Sequence, residues 1–169
     1  MPEVAEPRPI AGELYRDVFG SVPTPVAVVT TMRAGQPHGT TVSAFCSLSL
    51  EPPLVLVSLD RRSRLLREVR RTRRLCINVL AAGQEDLAVR FARKGTDKFA
   101  GLAWLAKHEL PVLPGCRSWV TAAVQRVVAA GDHMTVTALI FDAQVNEGAP
   151  MLYHARSFTQ PVQISEGDQ

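Results

Sequence analysis

The sequence predicts a mainly β protein, an antiparallel six-stranded barrel with inserted helices, and three observations carry that expectation. Six strand-length runs rich in Val, Ile, Thr and Leu recur along the chain. Most are joined by short turn segments, as hairpins require, and two helical periodicities are inserted between them. With 169 residues, 46% apolar and 21% charged, the chain is long enough for one self-sufficient core and too apolar for wholesale disorder. A single domain is expected over 12–159, between a flexible lead-in at 1–11 with three prolines and a frayed polar tail at 160–169.

Leu14, Tyr15, Val18 and Phe19 recur at helical spacing, and Gly20 ends that short helix. Residues 26–31 are a strand, and the turn at 33–37 folds it back onto 38–60, the stretch around which the chain is organised. There Thr40, Thr41, Ser43, Ser47 and Ser49 lie among Val42, Ala44, Phe45, Cys46, Leu48 and Leu50. Pro52 and Pro53 then remove two amide donors, so 54–59 resumes as a second strand of the same sheet. Small hydroxyls of this kind either pack against one another or surround a ligand, since they donate and accept without filling space.

Residues 61–74 carry eight arginines. Ser63 is placed to cap a helix whose Leu65, Leu66 and Val69 share one face, which leaves the arginines on the solvated side. A strand over 75–80 and a short helix over 84–91 follow. The loop at 92–99 contains Lys94, Gly95 and Thr96 but lacks the glycine and residue order of a phosphate loop. Residues 102–115 read as a connection laid over the body of the fold. Two long strand runs, 119–129 and 134–145, flank Gly131 and Asp132, a hairpin with His133 at its mouth. A last short strand is expected near 150–154.

Several functions are excluded by what the chain lacks. There is no nucleophile elbow, metalloprotease helix or dinucleotide-binding glycine fingerprint, and the four histidines have no metal spacing among themselves. Cys46, Cys76 and Cys116 are too few and too scattered for a disulfide framework, which suggests the reducing cytoplasm. No apolar run is long enough for a membrane span, and no leader pattern opens the chain, so it reads as soluble and unexported. A net charge of +3 does not by itself call for nucleic acid. Such a chain borrows its chemistry from a bound cofactor.

The residues at 25–31 (PVAVVTT), 39–49 (GTTVSAFCSLS), 51–54 (EPPL) and 77–80 (INVL), with Lys98-Phe99 and Gly131-Asp132-His133, come in the order of one family. Together, over about 19–153, they resemble the flavin reductases of two-component monooxygenases. The resemblance implies an FMN-binding split β-barrel, a homodimer that oxidises NADH or NADPH, reduces FMN or FAD and passes reduced flavin to a separate oxygenase. It places the flavin ring and ribityl chain against Thr41, Val42, Ser43, Ala44, Ser47, Leu48 and Ser49. The phosphate side falls to Ser58, Leu59, Arg61 and Ser63, with Arg62 or Arg64 nearby, an anion seat at a helix N-terminus. Thr30, Asn78, Phe99 and Tyr153 complete the implied cofactor set, and His133 is the implied catalytic residue beside nicotinamide and flavin.

Three other readings stay open on the residues alone: a barrel holding flavin tightly and reducing another acceptor, a flavin- or haem-binding carrier, and a nucleic-acid module resting on the arginine helix. The last lacks interleaved aromatic residues.

Overall fold

The computed structural model describes residues 8–95 and 97–162; the outer parts of the expected lead-in and tail, 1–7 and 163–169, and Thr96 lie outside the described residues. In chain order the elements are α1 (Gly12–Gly20), β1 (Thr24–Pro25), β2 (Ala27–Arg33), β3 (Gln36–Val42), β4 (Phe45–Ser49), β5 (Leu54–Asp60), α2 (Arg64–Thr72), β6 (Arg74–Val79) and α3 (Glu85–Ala92). They continue with β7 (Leu105–Lys107), β8 (Leu110–Val112), β9 (Ser118–Ala130), β10 (His133–Val145), β11 (Leu152–His154) and β12 (Ser157–Thr159).

The main sheet is antiparallel in the order β3-β2-β6-β9-β10-β5-β4. It has seven strands rather than six, because the hydroxyl-rich run is two strands parted at Ser43 and Ala44. These two residues join the sheet's opposite edges, β3 and β4. A two-residue link spans only about 7 Å, so the sheet must curl until its edges meet. The edges do not pair with each other, which leaves the barrel split along that line.

Alternation puts one face of every strand inside. Ala27 and Val29, Val55, Val57 and Leu59, Leu75 and Ile77, Ala122 and Val124, and Met134, Val136 and Ala138 form one core with Leu65, Leu66 and Val69 of α2. Helix α2 touches β2, β3, β5, β6 and β9, so it closes one end of the barrel. Outside, Val26, Val28, Leu80, Ala88, Phe91, Phe99, Leu113 and Met151 form a second core under α3. Cys76, Leu110, Val112, Cys116 and Trp119 form a third under the β7-β8 hairpin, two short strands within the connection expected at 102–115. The last segment also contains a strand the sequence did not signal: β12 pairs with β11, which pairs with β1.

The turns follow local chemistry. Ala34 and Gly35 both take positive φ between β2 and β3, the backbone a two-residue hairpin needs. Gly131 does the same for β9 and β10, which runs for 13 residues on each side. Helix α1 buries none of its residues within the chain.

Helix α2 is tied to the sheet by charge as well as by its leucines. Glu68 is 4% exposed, and its carboxylate accepts from Arg33 Nη1 at 2.7 Å and Arg67 Nε at 3.3 Å, with Arg71 Nη1 at 3.7 Å. The hydrogen bond from Arg33, outweighing burial, holds the Glu68 carboxyl below its ordinary value of 4.5. A group depressed in the folded state stabilises above its unfolded pKa and loses that contribution as pH falls through the lowered one. Glu68→Gln is therefore expected to cost about 1–2 kcal/mol near neutral pH, measured by urea denaturation. The gap between variant and parent should close as pH is lowered below the ordinary glutamate range; a gap that widens in acid would refute this account of Glu68.

Candidate active site

Two adjoining depressions lie on either side of the end of α3. The first, about 480 Å³, is lined by Val26, Thr41, Val42, Ser43, Ala88, Val89, Ala92, Arg93, Tyr153 and Phe158. The second, about 610 Å³, is lined by Gln36, Pro37, His38, Gly39, Thr40, Asp60, Arg62, Ser63, Arg64, Leu65, Ala92, Arg93, Lys94, Gly95, Asp97, Lys98 and Phe99. They share Ala92 and Arg93, so the walls are continuous. Apolar side chains dominate the first; five cationic side chains against Asp60 and Asp97 make the second positive. A molecule with a flat apolar head and an anionic tail matches that pair of environments.

The apolar cavity exists because β3 turns away from the sheet at Ser43. Thr41 Oγ1 donates to Ala88 O at 2.6 Å and Thr40 Oγ1 to Phe91 O at 3.4 Å, which seats α3 against β3. Gly39 is required for that seating: a Cβ there would lie 2.8 Å from Phe91 Cε1. Tyr153 and Phe158, 5.2 Å apart between ring centres, close the far side. They arrive there because Met151 N donates to Leu80 O and Val26 N to Met151 O, stitching the C-terminal segment between the start of β2 and the end of β6.

The cationic groove is built on the start of α2. Ser63 occupies the N-cap position in extended conformation, yet its hydroxyl makes no cap. Arg67 N is the helix's first intrahelical donor to Ser63 O, so the preceding amides point outward with the positive end of the helix dipole. Across the groove, Lys98 Nζ donates to Phe91 O at 2.5 Å and Gly39 O at 3.2 Å, and burial lowers its pKa. Arg90 donates to Lys98 O and to Ala100 O, holding the loop that carries Asp97 and Phe99. His38 is held below its ordinary value of 6.5, by burial first and then by the charge of Arg64.

His133 opens β10 directly opposite Asp60, and Ser58 lies opposite Thr135 two residues on. Its Nδ1 is 2.7 Å from Asp132 Oδ1, which orients the ring and draws the Asp132 carboxyl below its ordinary value. Arg61 N donates to Asp132 O, so the segment 58–63 and the His133 turn form one unit beside the groove.

Of the residues expected from the sequence, Thr41, Val42, Ser43 and Tyr153 line the apolar cavity, and Ser63 and Phe99 line the groove. Ala44, Ser47, Leu48, Ser49, Ser58, Arg61 and His133 line neither; Ala44, Ser47 and Leu48 stand exposed at or beside the edge strand β4, and Arg61 is exposed beside the His133 turn. Three of the expected residues are buried in the fold. Thr30 is fully buried and donates to Pro111 O at 2.6 Å. Asn78 is fully buried too, donating to Val28 O and accepting from Leu113 N at 2.8 Å. Leu59 points into the barrel at 1% exposed. Thr30 and Asn78 lie on the central strands β2 and β6, covered on both faces, so their polar groups serve the fold. Phe99 is also core, packed edge-on against Phe91 at 5.0 Å, although its rim reaches the groove.

Sequence reasoning missed Lys98, Arg93 and Phe158. Lys98 stood next to Phe99 in a recognised block, but nothing local told that its amine would be carried back to β3. Among the described residues, no three His, Cys, Asp or Glu side chains converge as a metal site, and no helix is long and apolar enough to cross a membrane.

The family model described as "Flavin reductase like domain" matches residues 19–161. The chain is 37% identical over 156 residues to a probable flavin reductase of Rhizobium meliloti, covering 91% of this chain and 48% of that protein, so it spans about half of that relative's length. It is 33% identical to a flavin-dependent monooxygenase reductase subunit of Rhodococcus jostii, covering 86% of this chain and 75% of that one. Among solved structures it is similar to an NADH:FAD oxidoreductase of Streptomyces globisporus, with a TM-score of 0.84 and 30% identity over 96% of this chain and 100% of that one. The latter protein has also been solved in complex with NAD and FAD fragments.

Proposed function

The chain belongs to the flavin reductase like domain family, and we propose that its apolar cavity receives the flavin ring while the cationic groove takes the phosphate. It is an NAD(P)H-dependent oxidoreductase that reduces FMN or FAD. The observation that carries the division of labour is the shared wall at Ala92 and Arg93 between an apolar space and a positive one.

The residues present suit a flavin. Thr41, Val42 and Ser43 offer backbone and hydroxyl groups beside apolar walls, and Ser63, Arg62 and Arg64 offer an anion seat at a helix N-terminus. Ser43 and Ser47 are exposed and Ser49 and Ser58 half-buried, so their hydroxyls are open to a ligand. Bound flavin supplies the acceptor for the hydride leaving reduced nicotinamide. The chain itself then needs to hold the two rings in contact and keep water out, because hydride transfer requires no acid or base on the nicotinamide side. Backbone donors on the hydroxyl-rich segment favour the negative charge that reduction brings. His133, held by Asp132 beside the groove, is given the nicotinamide carboxamide to orient by the resemblance of its turn to the family's, not by the lining of the cavity.

Two finer points belong to the same reading. The reduced flavin passes to a separate monooxygenase, as the kinship to a monooxygenase reductase subunit suggests. The working form is a homodimer. Its support is the outer side of β9, β10, β5 and β4, where Val128 and Leu48 are exposed, while the other outer faces are covered by α3 and β8 and Phe141 of β10 packs against His108.

Purified protein is expected to oxidise NADH only with added flavin, saturably in FMN or FAD, as followed by nicotinamide absorbance. Turnover that ignores added flavin, from a yellow protein, would overturn the free-flavin reading in favour of a tightly held group. His133→Ala should slow flavin reduction by about tenfold to a hundredfold and leave flavin affinity nearly unchanged; lost affinity with an intact reduction rate would remove the role given to His133. Light scattering should return twice the chain mass, and Val128→Asp should return the chain mass alone. A parental protein that scatters as a monomer at assay concentrations refutes the dimer.

A further inference from the structure

The groove does not account for the charge carried by α2. Residues 61–74 hold eight arginines against one glutamate, a net +7 in a chain of net +3; the remaining residues hold eleven basic against fifteen acidic side chains, a net −4. The net positive charge of the chain is therefore concentrated in this one segment. Arg62 and Arg64 line the groove itself. Arg67, Arg70 and Arg71 continue along the solvent face of α2, and all three are exposed. Glu68 faces Arg33, Arg67 and Arg71 together, so one carboxylate meets three guanidinium groups and the cluster stays positive. Among the described residues Arg70 has no ion pair. Strip and groove wall are in electrostatic contact: besides burial, Arg64 and Arg67 disfavour protonation of His38, with Glu68 opposing them.

We infer that this arginine strip collects phosphate-bearing nucleotides from solution and delivers them to the groove at its N-terminal end, so that phosphorylated flavins and pyridine nucleotides are selected over uncharged flavins by rate of association. The inference rests on the proposed flavin site for its destination but concerns capture, not hydride transfer. Nine helical residues span about 14 Å, little more than the screening length of about 10 Å at 0.1 M salt. An anion arriving anywhere on the strip is thus within reach of the groove, and steering of this kind raises association rates by about tenfold or more at low salt. Asp60 and Asp97 in the groove oppose the attraction but are outnumbered there by Arg62, Arg64, Arg93, Lys94 and Lys98. A nucleic acid is a poorer occupant, because the rest of the surface would repel it.

The test is rapid mixing of the full chain with FMN or with riboflavin, following flavin fluorescence while ionic strength is raised from about 0.01 M to about 1 M. FMN association should fall steeply with salt and riboflavin association should not. Replacing Arg67, Arg70 and Arg71 together by Gln should slow FMN association by about tenfold at low salt, with dissociation unchanged and convergence on the parent at high salt. Lys at the same three positions should preserve the parental rate, because charge rather than guanidinium geometry does the work. A second arm, kcat/KM for NADH at saturating flavin, shows whether pyridine nucleotide is collected as well; a response in either arm upholds phosphate capture. Should the triple variant misfold by circular dichroism, Arg70→Glu alone reads the same salt slope. Parental slopes for both FMN and NADH in these variants would overturn the inference and leave the strip to an acidic protein surface. Salt-dependent FMN capture without NADH turnover would instead refute the reductase reading and leave capture standing.

Discussion

The two-residue link between β3 and β4 is the constraint on which the structure depends. Ser43 and Ala44 connect strands at opposite edges of a seven-stranded sheet, so the sheet can satisfy its own chain only by curling. Once curled, it has an inside, and the alternating residues of β2, β5, β6, β9 and β10 fill it. The open end needs a cover, which α2 supplies with Leu65, Leu66 and Val69. The link is tied to β5 through Ser58 N, which donates to Ala44 O at 2.8 Å. Because the edges stay unpaired there, small side chains and free backbone groups remain beside an apolar cavity. Closure of the fold and formation of the ring-sized space are one event.

The covering helix also sets the electrostatics. Its apolar stripe must face the barrel, so every arginine is turned outward or toward the rim. Glu68 is the exception, drawn inward to share its charge among Arg33, Arg67 and Arg71 and so to fasten α2 to the β2-β3 hairpin. The N-terminus of the same helix opens on the groove, which sets its first amides and flanking arginines on one wall. Packing demand at one end of the barrel thus produces the positive wall that a phosphate-bearing ligand needs.

Much of this was legible before any coordinates. The strands at 26–31, 54–59, 75–80, 119–129 and 134–145 were readable because each has a period-two or continuous β-branched pattern bounded by Gly, Pro or charged residues. The break within 38–49 was not readable, because Ser43 and Ala44 carry no turn signal; only the pairing of β3 with β2 and of β4 with β5 reveals it. Strand β12 was missed for a related reason, being three residues long and stabilised by its partners rather than by propensity. The polar side chains divided unexpectedly. Thr30 and Asn78 stand in strand runs that looked like part of a ligand site, yet both lie on strands covered from two sides, and their groups bond to Pro111, Val28 and Leu113.

The sequence by itself determined the mainly β class, the helical face of α2, the hairpin that presents His133 and the family the chain belongs to, since periodicity, turn chemistry and ordered motifs are local properties of the chain. Only the tertiary structure decided which hydroxyls face a cavity and which are buried, that Lys98 and Arg93 join Ser63 across one groove, and that apolar and cationic spaces share a wall at α3. Those outcomes depend on contacts between residues far apart in the chain, such as Lys98 with Gly39 at 3.2 Å, 59 positions apart, and Thr30 with Pro111 at 2.6 Å, 81 positions apart. No local pattern encodes such a distance; it follows from how a curled sheet brings separate strands to one rim.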